Sequence, residues 1–191
     1  MAKHVAPSAK PSALSCWLKL GIALALVLLL VFTVLGTQRN LAGLRENADS
    51  RWADAEAQYA ISADSIPALL ELTQGYAVYG QPTLAGIAQV QTQWAAARGS
   101  GADMRQKIAA ARAVDDVVSK LLLVAQGYPQ LRAGENFVAL KGELETSENA
   151  RASAIENYDS AAREYNQALV RFPNSLFSGL LGFRELPLFE Q

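Results

Sequence analysis

The feature that most constrains this chain is the stretch from Leu20 to Gln38, LGIALALVLLLVFTVLGTQ, which contains no charged residue. As a helix rising 1.5 Å per residue it is about 28 Å long, close to the ~30 Å hydrocarbon core of a bilayer. A cleaved signal peptide would combine a basic start with an apolar run of about 7–15 residues and a small-residue cleavage site. Lys3, Lys10 and Lys19 supply the basic start, but the run is too long and Gly36-Thr37-Gln38-Arg39 is a poor cleavage site. Lys19 and Arg39 can snorkel at the two boundaries, and Trp17 suits the interfacial belt. A buried soluble helix is disfavoured, because nothing else in the chain is apolar enough to surround it. The expected division is a disordered basic tail (residues 1–19), a transmembrane helix (20–38) and one domain (39–191). Three basic residues lie before the span and Arg39, Arg45 and Arg51 just after it, so charge leaves the orientation open.

All 18 acidic residues and 14 of the 17 basic ones fall in the domain from Arg39 onward. The domain is therefore net acidic, which argues against nucleic acid as a partner; that needs a concentrated basic face. Cys16, the single cysteine, precedes the span and cannot form an internal disulfide. His4, the single histidine, lies in the tail. This inventory disfavours a zinc site or a histidine-based triad. No cofactor or metal is expected.

From Arg39 the pattern becomes amphipathic. Leu41, Leu44 and Ala48 lead into Trp52, Ala55, Tyr59, Ser62, Ile66, Leu69, Thr73 and Tyr76, which step by three and four residues. Span and first bundle helix should be nearly continuous. Pro67 either kinks this helix or sits in the first turn of one restarted by an Asp64 cap; both predict a bend near residue 64. Gly80-Gln81-Pro82 reads as a turn, Thr83–Arg98 as a second helix, and Gly99-Ser100-Gly101 as a break. Asp103 should cap a third helix, stopped by Gly127-Tyr128-Pro129. The last long helix should run from Glu135 to Arg171. Its stripe is Phe137, Leu140, Leu144, Ser147, Arg151, Ala154, Tyr158, Ala161, Tyr165, Ala168 and Phe172, and Pro173 ends it. The tail SLFSGLLGFRELPLFEQ should fold back over an open end of the bundle, the alternative being a second membrane contact. No segment alternates as a strand would. The expected fold is all-α: an N-terminal transmembrane helix continuing into an antiparallel, four-helix-type bundle of long helices.

Several side chains invite chemistry. Asp64 could be a buried acid, but a cap is the simpler role. Glu143, Glu145 and Glu148 could offer oxygen ligands, yet such a run usually forms a solvated face with local Arg151 pairing. Arg151 is the odd residue of its stripe. It is expected to pair across the bundle with an acid from the first helix. Asn136 and Asn166 suit hydrogen bonds at a helix start and between helices. Trp52, Tyr59, Tyr128, Tyr158 and Tyr165 read as core aromatics. The stripes permit homo-oligomers, but equally close an intramolecular bundle.

The order of short motifs is more specific. Trp52, then Asp64-Ser65-Ile66-Pro67, Gly75-Tyr76-Ala77, Tyr128-Pro129, Asn136-Phe137, Glu148-Asn149, Tyr165-Asn166, Phe172-Pro173, Gly182-Phe183 and the closing Pro187-Leu188-Phe189-Glu190 resemble the LemA family of bacterial membrane proteins. The resemblance implies a short tail, one span, a long-helix bundle, a cytoplasmic domain on the inner membrane and no known catalytic activity. Some relatives of that family act in forming magnetosome membranes. The chain departs from the family pattern at Ile61 and Ser62, where basic residues are usual, at Tyr79-Gly80, at Ile155 and at Asp159. A rigid anchored rod without catalytic inventory points to a non-enzymatic scaffold or assembly protein. The alternatives are membrane remodelling or organelle biogenesis, and an accessory subunit of a membrane enzyme or transporter. Partners would be the bilayer and other membrane proteins.

Overall fold

A computed structural model describes residues 13–99 and 101–189, with side chains from residue 17 onward. Its spine is α1 (Ala13–Gln74), one unbroken helix. It begins earlier than expected: residues 13–19, assigned above to a disordered tail, form its first turns, and residues 1–12 lie outside the described residues. From Trp17 to Phe32 every side chain is exposed. This is the one described helix long and apolar enough to cross a membrane.

Beyond the apolar stretch the helix buries one face. Leu41, Ala48, Trp52, Ala55, Tyr59, Ser62, Ile66, Leu69 and Thr73 are buried, at three- and four-residue steps from Ala48 on, with half-buried Leu44 between the first two. The stripe ends there, for Tyr76 is 45% exposed, outside the helix. Pro67 sits in the helix interior, exposed, and α1 passes through it. Asp64 is an exposed residue within the helix, not the cap of a new one. Proline costs an interior helix one hydrogen bond. Here tertiary packing on both sides of Pro67 (Ala63, Ile66 and Leu69 are buried) outweighs that loss.

Helix α2 (Gln81–Ala97) starts within the expected turn, with Pro82 in its first turn where a missing N–H is harmless. Helix α3 (Met104–Gln126) opens with a capping box. The Asp103 carboxylate accepts from the Gln106 N–H at 2.8 Å, and the Gln106 side chain accepts from the Asp103 N–H at 2.9 Å. A short α4 (Pro129–Arg132) leads into α5 (Glu135–Val170), and α6 (Asn174–Phe177) is a single turn. Among the described residues there is no strand.

Cross-contacts fix the directions. Tyr158 meets Trp52 and Arg45 lies over Tyr165, so α5 runs antiparallel to α1. Lys107 reaches Glu56 and Tyr128 meets Tyr76, so α3 runs parallel to α1. Arg98 pairs with Glu56 while Trp94 meets Tyr59, so α2 runs antiparallel to α1. This is an up-down-up-down bundle with α1 and α5 as its longest pair. Helices α2 and α3 flank only the upper part of α1, from about Trp52 onward. The lower part pairs with α5 and with the chain that follows it.

Candidate functional site

Three groups of side chains stand out, at three heights along the rod. The middle one is a polar network. Arg151 extends from α5, and its Nη1 lies 3.0 Å from Asp115 Oδ1 on α3 and donates to Ser62 Oγ on α1 at 3.1 Å. The Tyr59 hydroxyl donates to Asp115 Oδ2 at 2.8 Å, and the Arg151 guanidinium lies 4.9 Å from the Tyr59 ring centroid. Nearby, Ser147 Oγ donates to the Gln58 carbonyl on α1 at 3.1 Å. Arg151 thus pairs across the bundle, but its acid comes from α3 and not from the first helix; α1 contributes a hydroxyl. Burial pushes the Asp115 carboxyl above the usual carboxylate range, with Arg151 opposing it. Burial, then the Asp115 charge and hydrogen bond, hold the Tyr59 phenol well above its ordinary value. A tyrosine so held is a donor, not a base.

The group nearer the apolar stretch is a strap. Residues 184–189 run back along α5. Tyr165 donates to the Arg184 carbonyl at 3.0 Å and Tyr158 to the Pro187 carbonyl at 2.6 Å. Asn166 grips Leu186 from both sides: its Nδ2 donates to the Leu186 carbonyl and its Oδ1 accepts from the Leu186 N–H, each at 2.8 Å. The Phe189 N–H donates to Asp159 Oδ1 at 2.6 Å, and Arg112 donates to the Phe189 carbonyl. The Phe189 ring stacks on Trp52 at 6.5 Å, lies 6.0 Å from Tyr59, and is covered by the Arg112 guanidinium at 5.2 Å. Trp52 is itself steered by donating Nε1–H to Glu56 at 3.0 Å. Burial, then the Asp159 charge, raises the Tyr158 phenol well above its ordinary value.

The distal group forms the far end. Tyr76 and Tyr128 rings lie 5.8 Å apart, and Tyr128 and Pro129 open α4. Phe137 is buried under this corner, whereas Asn136 is exposed; the start of α5 at Gly134 has no side-chain cap. Leu72, Tyr76, Leu131, Asn136 and Phe137 line one shallow groove there. Leu122, Gln126, Phe137, Val138, Lys141 and Glu145 line another, of about 640 Å³. Val78, Leu123 and Val138 are exposed at the same end.

The expected site residues therefore divide. Arg151 centres the middle network and Trp52 forms the strap's seat. Tyr165 and Asn166 hold the strap, and Phe183 is half-buried against the core. Tyr76, Tyr128, Pro129, Asn136 and Phe137 meet at the distal end. Asp64, Pro67, Glu148 and Asn149 are exposed along helices. The expected local pairing of Arg151 with the glutamate run is replaced by Asp115, and Glu145 pairs with Lys141 at 2.9 Å. Among the described residues no three His, Cys, Asp or Glu side chains gather as a metal site. Phe172, placed on the buried stripe above, is 80% exposed and is followed by the cis-linked Pro173. Sequence reasoning did not single out Asp115, Arg112, Asp159 or Phe189 as site residues. For Arg151 the one available signal was a cation on an apolar stripe, which demands an acid without saying from which helix.

An all-α bundle with a bare apolar N-terminal helix, closed by an extended C-terminal strap, is the class this geometry defines. The LemA family model matches residues 51–191, most of the chain, and the chain belongs to the LemA family. A comparison with curated proteins gave no match.

Proposed function

We propose that this chain is a non-enzymatic, membrane-anchored scaffold that holds a partner membrane protein at a fixed height above the bacterial inner membrane. What carries this reading is the separation of the two ends. The bare apolar helix is at one, and the distal grooves with exposed Val78, Leu123 and Val138 are at the other. Between them the half-buried acids are engaged in structural pairs: Asp115 with Arg151, and Glu56 with Lys107 and Arg98. A cytoplasmic domain, a lipid bilayer and one or more membrane proteins as partners, and no cofactor or nucleic acid, belong to the same reading.

Photo-crosslinkers at Val138 and at mid-bundle Glu156, in cells, test it. A discrete adduct from Val138 and none from Glu156 supports a distal docking end, and its mass and identity name the process. Adducts with a fixed-ratio enzyme or transporter would make the chain an accessory subunit. Adducts only with itself, together with altered membranes on overproduction, would favour membrane remodelling or organelle biogenesis, a magnetosome membrane included. Equal labelling at both sites would remove the distal-end reading.

A further inference from the structure

Apart from Phe183, which packs on the core, the segment between Arg171 and Arg184, FPNSLFSGLLGF, belongs neither to the bundle core nor to the strap; it forms a compact knot. It holds no charged residue and is bracketed by two exposed arginines. Phe172, Leu176 and Leu180 are 80%, 64% and 87% exposed, and Val170 just before them is 68% exposed. Scattered exposed leucines are ordinary, but a cluster this dense marks a contact surface.

Its position names the occupant. The antiparallel register, Tyr165 beside Arg45 and Tyr158 beside Trp52, brings the end of α5 level with about residue 40 of α1. The chain after Val170 therefore continues down beside the last turns of the apolar stretch. Helix α6 packs on α1, and Thr37 is 3% exposed while Leu35, Gly36 and Gln38 around it are exposed. Thr33 and Val34 are half-covered one turn lower. Four residues of helix are about 6 Å, so the knot reaches inside the expected boundary at Gln38-Arg39 by the depth at which interfacial segments sit, ~5–10 Å.

The backbone is suited to that place. Ser175 N–H donates to the Arg171 carbonyl, Ser178 to Asn174, Leu181 to Phe177 and Phe183 to Ser178, at 2.8–3.0 Å, and Asn174 Nδ2 donates to the Ala168 carbonyl at 3.0 Å. Irregular backbone enters a low-dielectric layer at least cost when its polar groups are paired, and these four amides are paired locally. Gly182, at φ +80°, makes the turn that sends the chain back up into the strap.

We propose that this knot is a second membrane contact: Phe172, Leu176 and Leu180 insert into the lipid interface beside the span, with Arg171 and Arg184 at the headgroups. The proposal rests on the reading of α1 as a membrane span. The two are separated by labelling the full chain in a Cys16→Ser background, with an environment-sensitive fluorophore at Leu180→Cys, Leu24→Cys or Val78→Cys. The proteins are placed in phosphatidylethanolamine–phosphatidylglycerol vesicles carrying lipid-borne quenchers at headgroup or mid-chain depth. The expected result is several-fold stronger quenching of the Leu180 label than of the Val78 label, strongest with the headgroup-level quencher, and strong quenching of the Leu24 label by the mid-chain one. Quenching at Leu24 with Leu180 no different from Val78 overturns the second contact and leaves the span standing. No quenching at Leu24 overturns the span, and this proposal with it. A Leu176→Cys label must follow Leu180 on an adjoining turn; a split between the two would also count against insertion.

Discussion

Arg151 and Asp115 are both only partly shielded, with 15% and 31% of their side chains exposed. Breaking a buried ion pair costs about 3–5 kcal/mol, and an exposed one up to about 1. Arg151→Met should therefore lose about 2 kcal/mol in denaturant unfolding of the detergent-solubilised chain, followed by circular dichroism. Adding Asp115→Asn should recover part of that loss, because the stranded charge is what costs. The pH dependence has a definite sign. A carboxyl whose pKa is raised in the fold contributes stability in its neutral form. That contribution is complete below about 4, where unfolded aspartate is also protonated, and is lost as the pH rises through the folded value. The stability of wild type relative to Asp115→Asn should hence decline from pH 4 toward 7. A flat difference would mean that Arg151 and Tyr59 offset the burial of Asp115. At the alkaline end, Tyr59 and Tyr158 are both held protonated by the fold. Their contribution is present below about 10 and lost above it, at about 1.4 kcal/mol per pH unit for each. Tyr158→Phe should reduce that alkaline slope by roughly half.

At the scale of elements, the strap does the work of the helix that the lower bundle lacks. Helices α2 and α3 do not descend below the level of Trp52, so residues 184–189 close the groove between α1 and α5 there. Asn166→Ala removes both hydrogen bonds to Leu186 and should release the strap. Limited proteolysis after Phe183 should accelerate and Trp52 emission shift to the red, while helix content stays constant; unchanged cleavage would show that Phe189 alone holds it. These elements were unequally legible. Long amphipathic runs, the Asp103–Gln106 box and the continuity of span and first helix follow from local rules, and the sequence pattern carries them. The 3-4 spacing overshoots at Tyr76 and Phe172, because periodicity continues past the point where a partner helix ends. Asp64 resembles a cap only to a reader who cannot see that packing carries the helix through Pro67. The strap has no period, so the pairing of Asp159 and Arg112 with Phe189 depends on tertiary geometry that no local pattern encodes. The same holds for the origin of the acid that meets Arg151.

The whole molecule is a rod with its apolar surface at its two ends. Between Arg39 and the end of α5, the large apolar side chains that stay exposed are Tyr76, Val78, Leu123, Val138 and Val170. Four belong to the distal end and Val170 ends α5 beside the knot, so no apolar stripe runs along the side on which the bundle could lie flat against lipid. An amphipathic helix that lies on a membrane keeps one; here the helices have used theirs on each other. The rod should consequently stand. From Arg39 to Gln74 a straight helix rises about 54 Å, which on the proposed membrane anchoring would set the height of Val78 above the bilayer. Energy transfer from a donor at Val78→Cys to acceptors in the headgroup layer should be weak and should correspond to a separation of about 50 Å. A donor at Ala53→Cys, an exposed position fourteen residues past Arg39, should report about 20 Å. Equal, strong transfer from both sites would mean that the bundle lies down, and a partner would then meet its flank instead of its tip. A graded pair of distances fixes the tip as the surface that other membrane proteins can reach, at a height set by one uninterrupted helix.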